Sequence, residues 1–309
     1  MRKILAVLLT VVVLSALSAS GASASYAGRD GRIAFVRSNQ VYTMSTTGTN
    51  VTKLTTSGKN YRPHFSPDGK RIAYINETAA GVKNLWVMTA TGASKQAVTT
   101  EGGVTTPPAW SPNSAQLAFG RNGVLNIVKS TSPFGTPVAA TYSSSDCDVY
   151  NQTVKVDRWL AWSASNEITV LNSDGCDTFD TYMWKYDPAA KSASIIAETG
   201  ASCCSNEDWT ELFYGPTNQL GVTERYYGYD DEFPSPPMKV IYPFSAGYPH
   251  TGSFVSADGD TGGAPSPSGT YIAVTNASSG TARVFKVSRK TGARTALATG
   301  YQPDWQRVS

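Results

Sequence analysis

The sequence predicts an all-β fold, a six-bladed β-propeller with four-stranded blades, on three observations. First, a strand–turn–strand unit recurs. It is clearest in Tyr61-Arg62-Pro63-His64-Phe65-Ser66-Pro67-Asp68-Gly69-Lys70-Arg71-Ile72-Ala73-Tyr74, where proline presets the first turn dihedral, Asp bonds its own backbone and Gly supplies positive φ. Second, the anchors of this unit are Ser66, Ser111, Ser163, Gly215, Ser266 and Gln306, spaced 45, 52, 52, 51 and 40 residues apart. A period of about 40–50 residues with several short strands per repeat is the signature of a propeller. Third, the two ends complete each other. The strand Arg32-Ile33-Ala34-Phe35-Val36 has no anchor before it, and Gln306 has no strand after it. The C-terminal strand is therefore expected to pair into the N-terminal blade as its innermost strand and close the ring at six.

Period-2 alternation and β-branched or aromatic residues mark the strands in order. Blade 1 is expected at Arg32–Val36, Gln40–Met44 and Val51–Leu54, with Gly48 turning the last two. Blade 2 runs from Tyr61 through Ile72–Ile75 and Leu85–Met88 to Gln96–Thr99. Blade 3 is placed over 106–142, with a strand at Leu125–Val128. Blade 4 holds Trp159–Ser163, Ile168–Leu171, Tyr182–Tyr186 and Ala193–Ala197. Blade 5 holds Trp209–Tyr214, Leu220–Thr223, Met238–Tyr242 and a weakly marked Thr251–Val255; blade 6 holds Tyr271–Thr275, Arg283–Val287 and Arg294–Ala298. Apolar runs at helical spacing are missing, so almost no helix is expected.

Residues 1–24 read as a cleaved secretory leader. Arg2 and Lys3 precede an apolar run from Ile4 to Leu17, and Ala22-Ser23-Ala24 fits cleavage before Ser25. That run is shorter than the roughly 18 residues of a spanning helix, and no other segment reads as a membrane span. Residues 25–309 then form one propeller domain. Without Arg2 and Lys3 the chain carries 24 basic against 23 acidic residues, a balance that argues against nucleic acid as partner. The expected location is outside the cell, or a periplasm in a host with an outer membrane. Cys147, Cys176, Cys203 and Cys204 suit an oxidising compartment and fit no zinc spacing. The adjacent Cys203 and Cys204 either form a vicinal ring or reach separately to Cys147 and Cys176. The second pairing is favoured, because a vicinal disulfide distorts its backbone.

Phe65-Ser-Pro-Asp-Gly-Lys-Arg-Ile-Ala-Tyr74, Trp110-Ser-Pro-Asn-Ser-Ala-Gln-Leu-Ala-Phe119 and Leu85-Trp86-Val87-Met88 with Gly92 resemble the repeats of TolB-like, PD40-type (WD40-like) propellers. The resemblance spans about 30–309 and is strongest in blades 1, 2 and 6. It implies the propeller and leaves the function open, since members include transport-accessory proteins, peptidase propellers and carbohydrate enzymes. TolB proteins carry an additional α/β domain ahead of the propeller; here the leader runs almost directly into blade 1. The G-x-S-x-G elbow of the peptidases is not found in the sequence.

Propeller topology puts the Ser-Pro-Asp-Gly turns on one face. Turns between second and third strands, and blade-to-blade connections, share the other. Four irregular segments are expected on that second face near blades 4 and 5: 143–150, 172–180, 203–208 and 226–233. They carry Asp146, Asp148 and Tyr150, then Asp174, Asp177 and Asp180, and then Tyr226, Tyr227, Tyr229, Asp230, Asp231 and Glu232, together with all four cysteines. Tyr rings stack on sugars or side chains and carboxylates bond hydroxyls or cations, so the set predicts a binding surface. The plainer alternative is long solvated loops stapled for want of a core. Asp174, Asp177 and Asp180 offer oxygens at i, i+3 and i+6 for Ca²⁺, and Asp258-Gly259-Asp260 is a second short acidic loop.

No catalytic residues are assigned. His64 occupies a variable slot of the repeat and reads as structural; His250 reads as a loop residue. The recurring serines read as turn formers, and Trp110, Trp162 and Trp305 as core between blades. The sequence thus predicts a monomeric, non-catalytic binding module for an extracellular or envelope protein or a carbohydrate. The rival expectation is a secreted hydrolase or lyase of carbohydrates using carboxylates on the same face. A convergent carboxylate pair near the central axis would favour the rival.

Overall fold

The computed structural model describes residues 27–142, 152–173, 181–199, 207–226, 238–245 and 251–308. Six four-stranded antiparallel sheets form the ring, each with its strands in chain order from the axis outward except the one that closes it. The innermost strands of blades 1 to 6 are Tyr301–Val308, Lys59–Phe65, Ala109–Trp110, Trp159–Trp162, Glu207–Tyr214 and Asp260–Pro265. Among the described residues there is no helix.

Closure follows from strand periodicity. Tyr301–Val308 pairs antiparallel with Arg29–Arg37, placing Trp305 opposite Ile33 and Asp304 opposite Ala34. Side chains alternate between faces, so each face serves one neighbour. Ile33, Phe35, Met44 and Trp305 pack on Ala264, Ala273 and Val284 of blade 6. Ala34, Val41 and Leu54 pack on Phe65, Ile72, Tyr74 and Met88 of blade 2. On that second face the closing strand presents Gln302, Asp304 and Gln306 at period 2. Gln302 Oε1 accepts from the Arg62 N–H at 2.8 Å, Asp304 Oδ2 from the Phe65 N–H at 2.6 Å, and Gln306 Nε2 donates to the Gly69 carbonyl at 2.8 Å. Three polar side chains therefore fasten the chain's two ends to blade 2.

The turns show why the anchor repeats. Ser66 Oγ accepts from the Arg71 N–H at 3.0 Å and donates to Asp68 Oδ1 at 2.5 Å. Gly69, at φ 68°, has no room for a side chain: a Cβ there would sit 2.0 Å from the Arg307 carbonyl oxygen. The same hydroxyl-to-backbone clip recurs at Ser111, Ser163 and Ser266. The tryptophans expected as inter-blade core are buried, Trp110 at 3%, Trp162 at 3% and Trp305 at 6% exposure.

Two features differ from expectation. Blade 3 ends at Val138–Ala139, and Thr141–Tyr142 instead pairs with Gln152–Thr153 in a separate hairpin between blades 3 and 4. Past Ala139 other bonds take over: the Ala140 N–H donates to Leu125 O at 2.8 Å, the Val154 N–H to Ala140 O at 2.9 Å and the Leu125 N–H to Val154 O at 2.9 Å, so the returning chain continues the blade's ladder. The other concerns Asp258-Gly259-Asp260, expected as a short acidic loop. Asp260 is the first residue of the blade 6 inner strand, fully buried, with Arg294 bonded to both its oxygens at 2.6 and 2.7 Å and Asn276 Nδ2 at 2.8 Å. Its acceptor capacity is spent inside the fold.

Candidate functional site

Each inner strand runs toward its anchor turn, so residues the same distance before the anchor stand at the same height around the axis. Four residues before the anchors are Arg62, Pro107, Trp159, Glu211, Gly262 and Gln302. All but Pro107 line a central cavity of about 140 Å³ to which all six inner strands contribute.

Three inner strands bulge at this level with positive φ, and a fourth, in blade 5, shifts register between Trp209 and Glu211. The registers shift between Tyr61 and His64, between Thr261 and Ala264, and opposite Ala34 to Val36. The bulged residues have positive φ: Arg62 54°, Gln302 54° and Gly262 66°. Glycine takes this conformation freely; for a side-chain-bearing residue it costs about 1 kcal/mol. Two of three equivalent bulges therefore carry a long polar side chain where glycine would be cheaper.

Arg62 reaches across from blade 2 to blade 4 and stacks over the Trp159 ring, 4.4 Å from its centroid. Its Nη1 is shut off from solvent and has no hydrogen-bond partner among the described residues. Burial lowers the Arg62 pKa, while Glu211 and Tyr61 oppose the shift; a guanidinium starts high enough to stay charged at neutral pH. Glu211 faces the same space from blade 5, but Oε2 accepts Thr223 Oγ1 at 2.7 Å and the Gly262 N–H. On blade 1, Asp304 Oδ1 lies 3.6 Å from His64 Nδ1, the two side chains 21% and 30% exposed. Two carboxylates thus line the channel, as the enzymatic reading requires. Each is bound to a backbone N–H of the next blade, Glu211 joining blade 5 to 6 and Asp304 joining blade 1 to 2. That assigns them first to holding the ring.

A second polar cluster lies at the loop end of blades 4 and 5. Thr181 donates from N–H to Thr199 Oγ1 at 2.8 Å and from Oγ1 to Asp208 Oδ1 at 2.5 Å. Arg158 pairs with the same carboxylate, and Ser173 bonds Asp157 through both N–H and Oγ. Thr181 and Thr199 are fully buried and Asp208 is 7% exposed. These residues border the segments 174–180 and 200–206, so the roots of both are joined.

The binding residues expected from sequence, Asp146, Asp148, Tyr150, Tyr227, Tyr229, Asp230, Asp231 and Glu232, lie outside the described residues, as do Asp174, Asp177, Asp180 and the four cysteines. So does His250. Tyr226 closes the strand Leu220–Tyr226, its backbone opposite Glu207. Among the described residues no group of three or more His, Cys, Asp or Glu side chains converges for a metal. Arg62, Trp159, Glu211 and Gln302 were not picked out from the sequence; counting back from the anchors would have found them.

Fold and channel together define a six-bladed β-propeller closed by its own C-terminal strand. No protein-family model matches the sequence, and no curated protein does. Solved structures do. The chain is similar to TolB from Acinetobacter baumannii, with 15% identity, TM-score 0.64, and coverage of 90% of this chain and 67% of that one. It is also similar to Kuenenia stuttgartiensis hydrazine synthase, with 9% identity, TM-score 0.63, and coverage of 93% and 48%, so it spans about half of that chain. A nidogen/laminin complex matches with 6% identity, TM-score 0.57, and coverage of 89% and 98%. At these identities the likeness is one of fold. No helix among the described residues is long and apolar enough to cross a membrane.

Proposed function

We propose that the protein is a secreted, non-catalytic binding propeller that takes a protein or a carbohydrate on the loop face over blades 4 and 5, with residues 1–24 as its cleaved leader. The observation that carries this reading is the buried Thr181–Thr199–Asp208 cluster with Arg158. It ties together the roots of two segments that bear Asp174, Asp177, Asp180 and three of the four cysteines. A rigid, buried base beneath acidic segments suits recognition, because preorganised neighbours lower the ordering cost of binding. The likeness to TolB and to a chain of a nidogen/laminin complex supports a role in interaction. Ca²⁺ is proposed as a companion ligand of Asp174, Asp177 and Asp180.

The test compares the protein with its Tyr226→Ala/Tyr229→Ala/Asp230→Ala variant on a glycan array and in pull-downs from envelope and extracellular fractions, with and without a calcium chelator. Binding lost in the variant is expected. Binding that survives unchanged moves the site off blade 5, and insensitivity to chelator removes the metal. The intact mass of exported protein should begin at Ser25; a retained leader contradicts that part.

A further inference from the structure

We propose that the central channel is a second binding site, specific for a small organic carboxylate gripped by the Arg62 guanidinium above Trp159. It does not depend on the loop-face reading, since no residue is shared.

Four observations lead there. A guanidinium held over an aromatic ring spends one face on that contact, which leaves its N–H donors for other partners. Nη1 has no protein acceptor and no solvent contact, so a ligand reaches it with a shift of the Arg62 side chain; buried donors without partners are rare in folded proteins. The nearest internal counter-charge, Glu211, acts on Arg62 through space without a hydrogen bond to it, its Oε2 holding Thr223 and the Gly262 N–H. Arg62 also stands at φ 54° in a bulge that blade 6 builds with Gly262. Backbone strain kept at Arg62 and Gln302, with a charged group delivered to a cavity by the first, is a pattern of functional sites.

The cavity fixes the ligand's class. At about 140 Å³ it is close to the roughly 150 Å³ that accommodates benzene, which suits a molecule of about six to ten non-hydrogen atoms. A planar, monoanionic acceptor matches the planar fork. Glu211 and Asp304 line the same space and oppose a dianion such as phosphate about twice as strongly as a monoanion. The buried Pro63, Pro108 and Pro303 supply apolar walls, while Gln302 and His64 offer hydrogen bonds to a hydroxyl. A free acid and a peptide C-terminus both present that carboxylate; the chemistry at Arg62 is shared.

The experiment is isothermal titration of the purified protein with acetate, lactate, benzoate, inorganic phosphate, and diglycine with free or amidated C-terminus, followed also by tryptophan fluorescence. At least one carboxylate should bind saturably. Arg62→Gln should weaken it about tenfold or more, and Arg62→Lys, which keeps the charge but loses the fork, by a smaller factor. The free peptide binding and its amide failing would name a chain terminus as the source; binding by the free acids alone would name small metabolites. Three results overturn the proposal: no probe binding, phosphate binding as tightly as any carboxylate, or undiminished binding by Arg62→Lys and Arg62→Gln variants that melt like the parent.

Discussion

The two ends of the channel are built from the same six strands and obey different rules. At the turn end the same bond recurs: Ser66, Ser111, Ser163 and Ser266 each accept a backbone N–H four or five residues on, at 3.0, 2.9, 3.0 and 3.2 Å. At the loop end, one level of the ring reads Arg62, Pro107, Trp159, Glu211, Gly262 and Gln302, no two alike. A turn must satisfy local backbone groups in every blade, so its chemistry repeats. A channel level has no such duty, and its side chains are free to be individual. Repetition marks what folds the ring; departure from repetition marks where it can bind.

The comparison can be broken at several points, the largest first. Removing residues 301–309 takes away the inner strand of blade 1, buried Trp305 and the clasps from Gln302, Asp304 and Gln306. The account expects loss of cooperative unfolding by circular dichroism. A truncated chain that still melts in one sharp transition would mean the ring does not need closing.

Next is Asp260→Ala. It lies at the loop end, yet its bond from Asn276 Nδ2 is matched in blade 2 by Asn76 donating to Asn60 Oδ1 at 2.9 Å. Being repeated, it should be structural. Breaking a buried pair costs about 3–5 kcal/mol, and the partly exposed Arg294 reduces that to about 2–3 kcal/mol. Urea unfolding checks it; a change under about 0.5 kcal/mol would place Asp260 outside the fold's support.

A smaller effect, acting on both ends alike, is alkaline pH. Burial is the leading cause that raises the pKa of Tyr61 at the loop end and Tyr214 at the turn end, as it does for Tyr74, Tyr186, Tyr242 and Tyr301. With native values above the ordinary value of 10.0, the folded chain binds more protons than the unfolded one there. The stability these phenols lend is therefore whole below about pH 10 and is lost as pH rises from there toward the native values. The urea midpoint should hold between about pH 7 and 9 and fall beyond about 10; a midpoint flat to about pH 11.5 would contradict the burial of these rings.

How legible this was in the sequence follows the same division. The Ser-Pro-Asp-Gly turns and the unpaired ends at Arg32–Val36 and Gln306 gave away blade number and closure, because local backbone chemistry repeats in residue identity. Strand cores such as Gln40–Met44 and Met238–Tyr242 coincide with expectation. The inner strands of blades 2 and 5 reach further back than expected, to Lys59 and Glu207, because bulges displace the period-2 pattern that marks a strand. The buried hydroxyls Thr55, Thr99, Thr199 and Ser256, which accept N–H groups at the start of third strands in four blades, went unseen. Each lies at the edge of a two-residue or weakly patterned strand. The Arg62–Trp159 stack joins residues 97 apart in sequence, a relation that appears only when the blades are superposed by their anchors.

The most direct test sets one residue from each end side by side: thermal melts of Ser66→Ala and Arg62→Gly. Ser66→Ala removes a repeated turn bond worth about 1–2 kcal/mol and should lower Tm by about 2–6 °C. Arg62→Gly relieves the positive-φ cost and the buried donor while losing the Trp159 stack, terms of about 1 kcal/mol that oppose each other. Its Tm should stay within about 2 °C of the parent or rise. A large drop in Arg62→Gly with little change in Ser66→Ala would show that the individual channel residues hold the fold, and would overturn the division between the two ends.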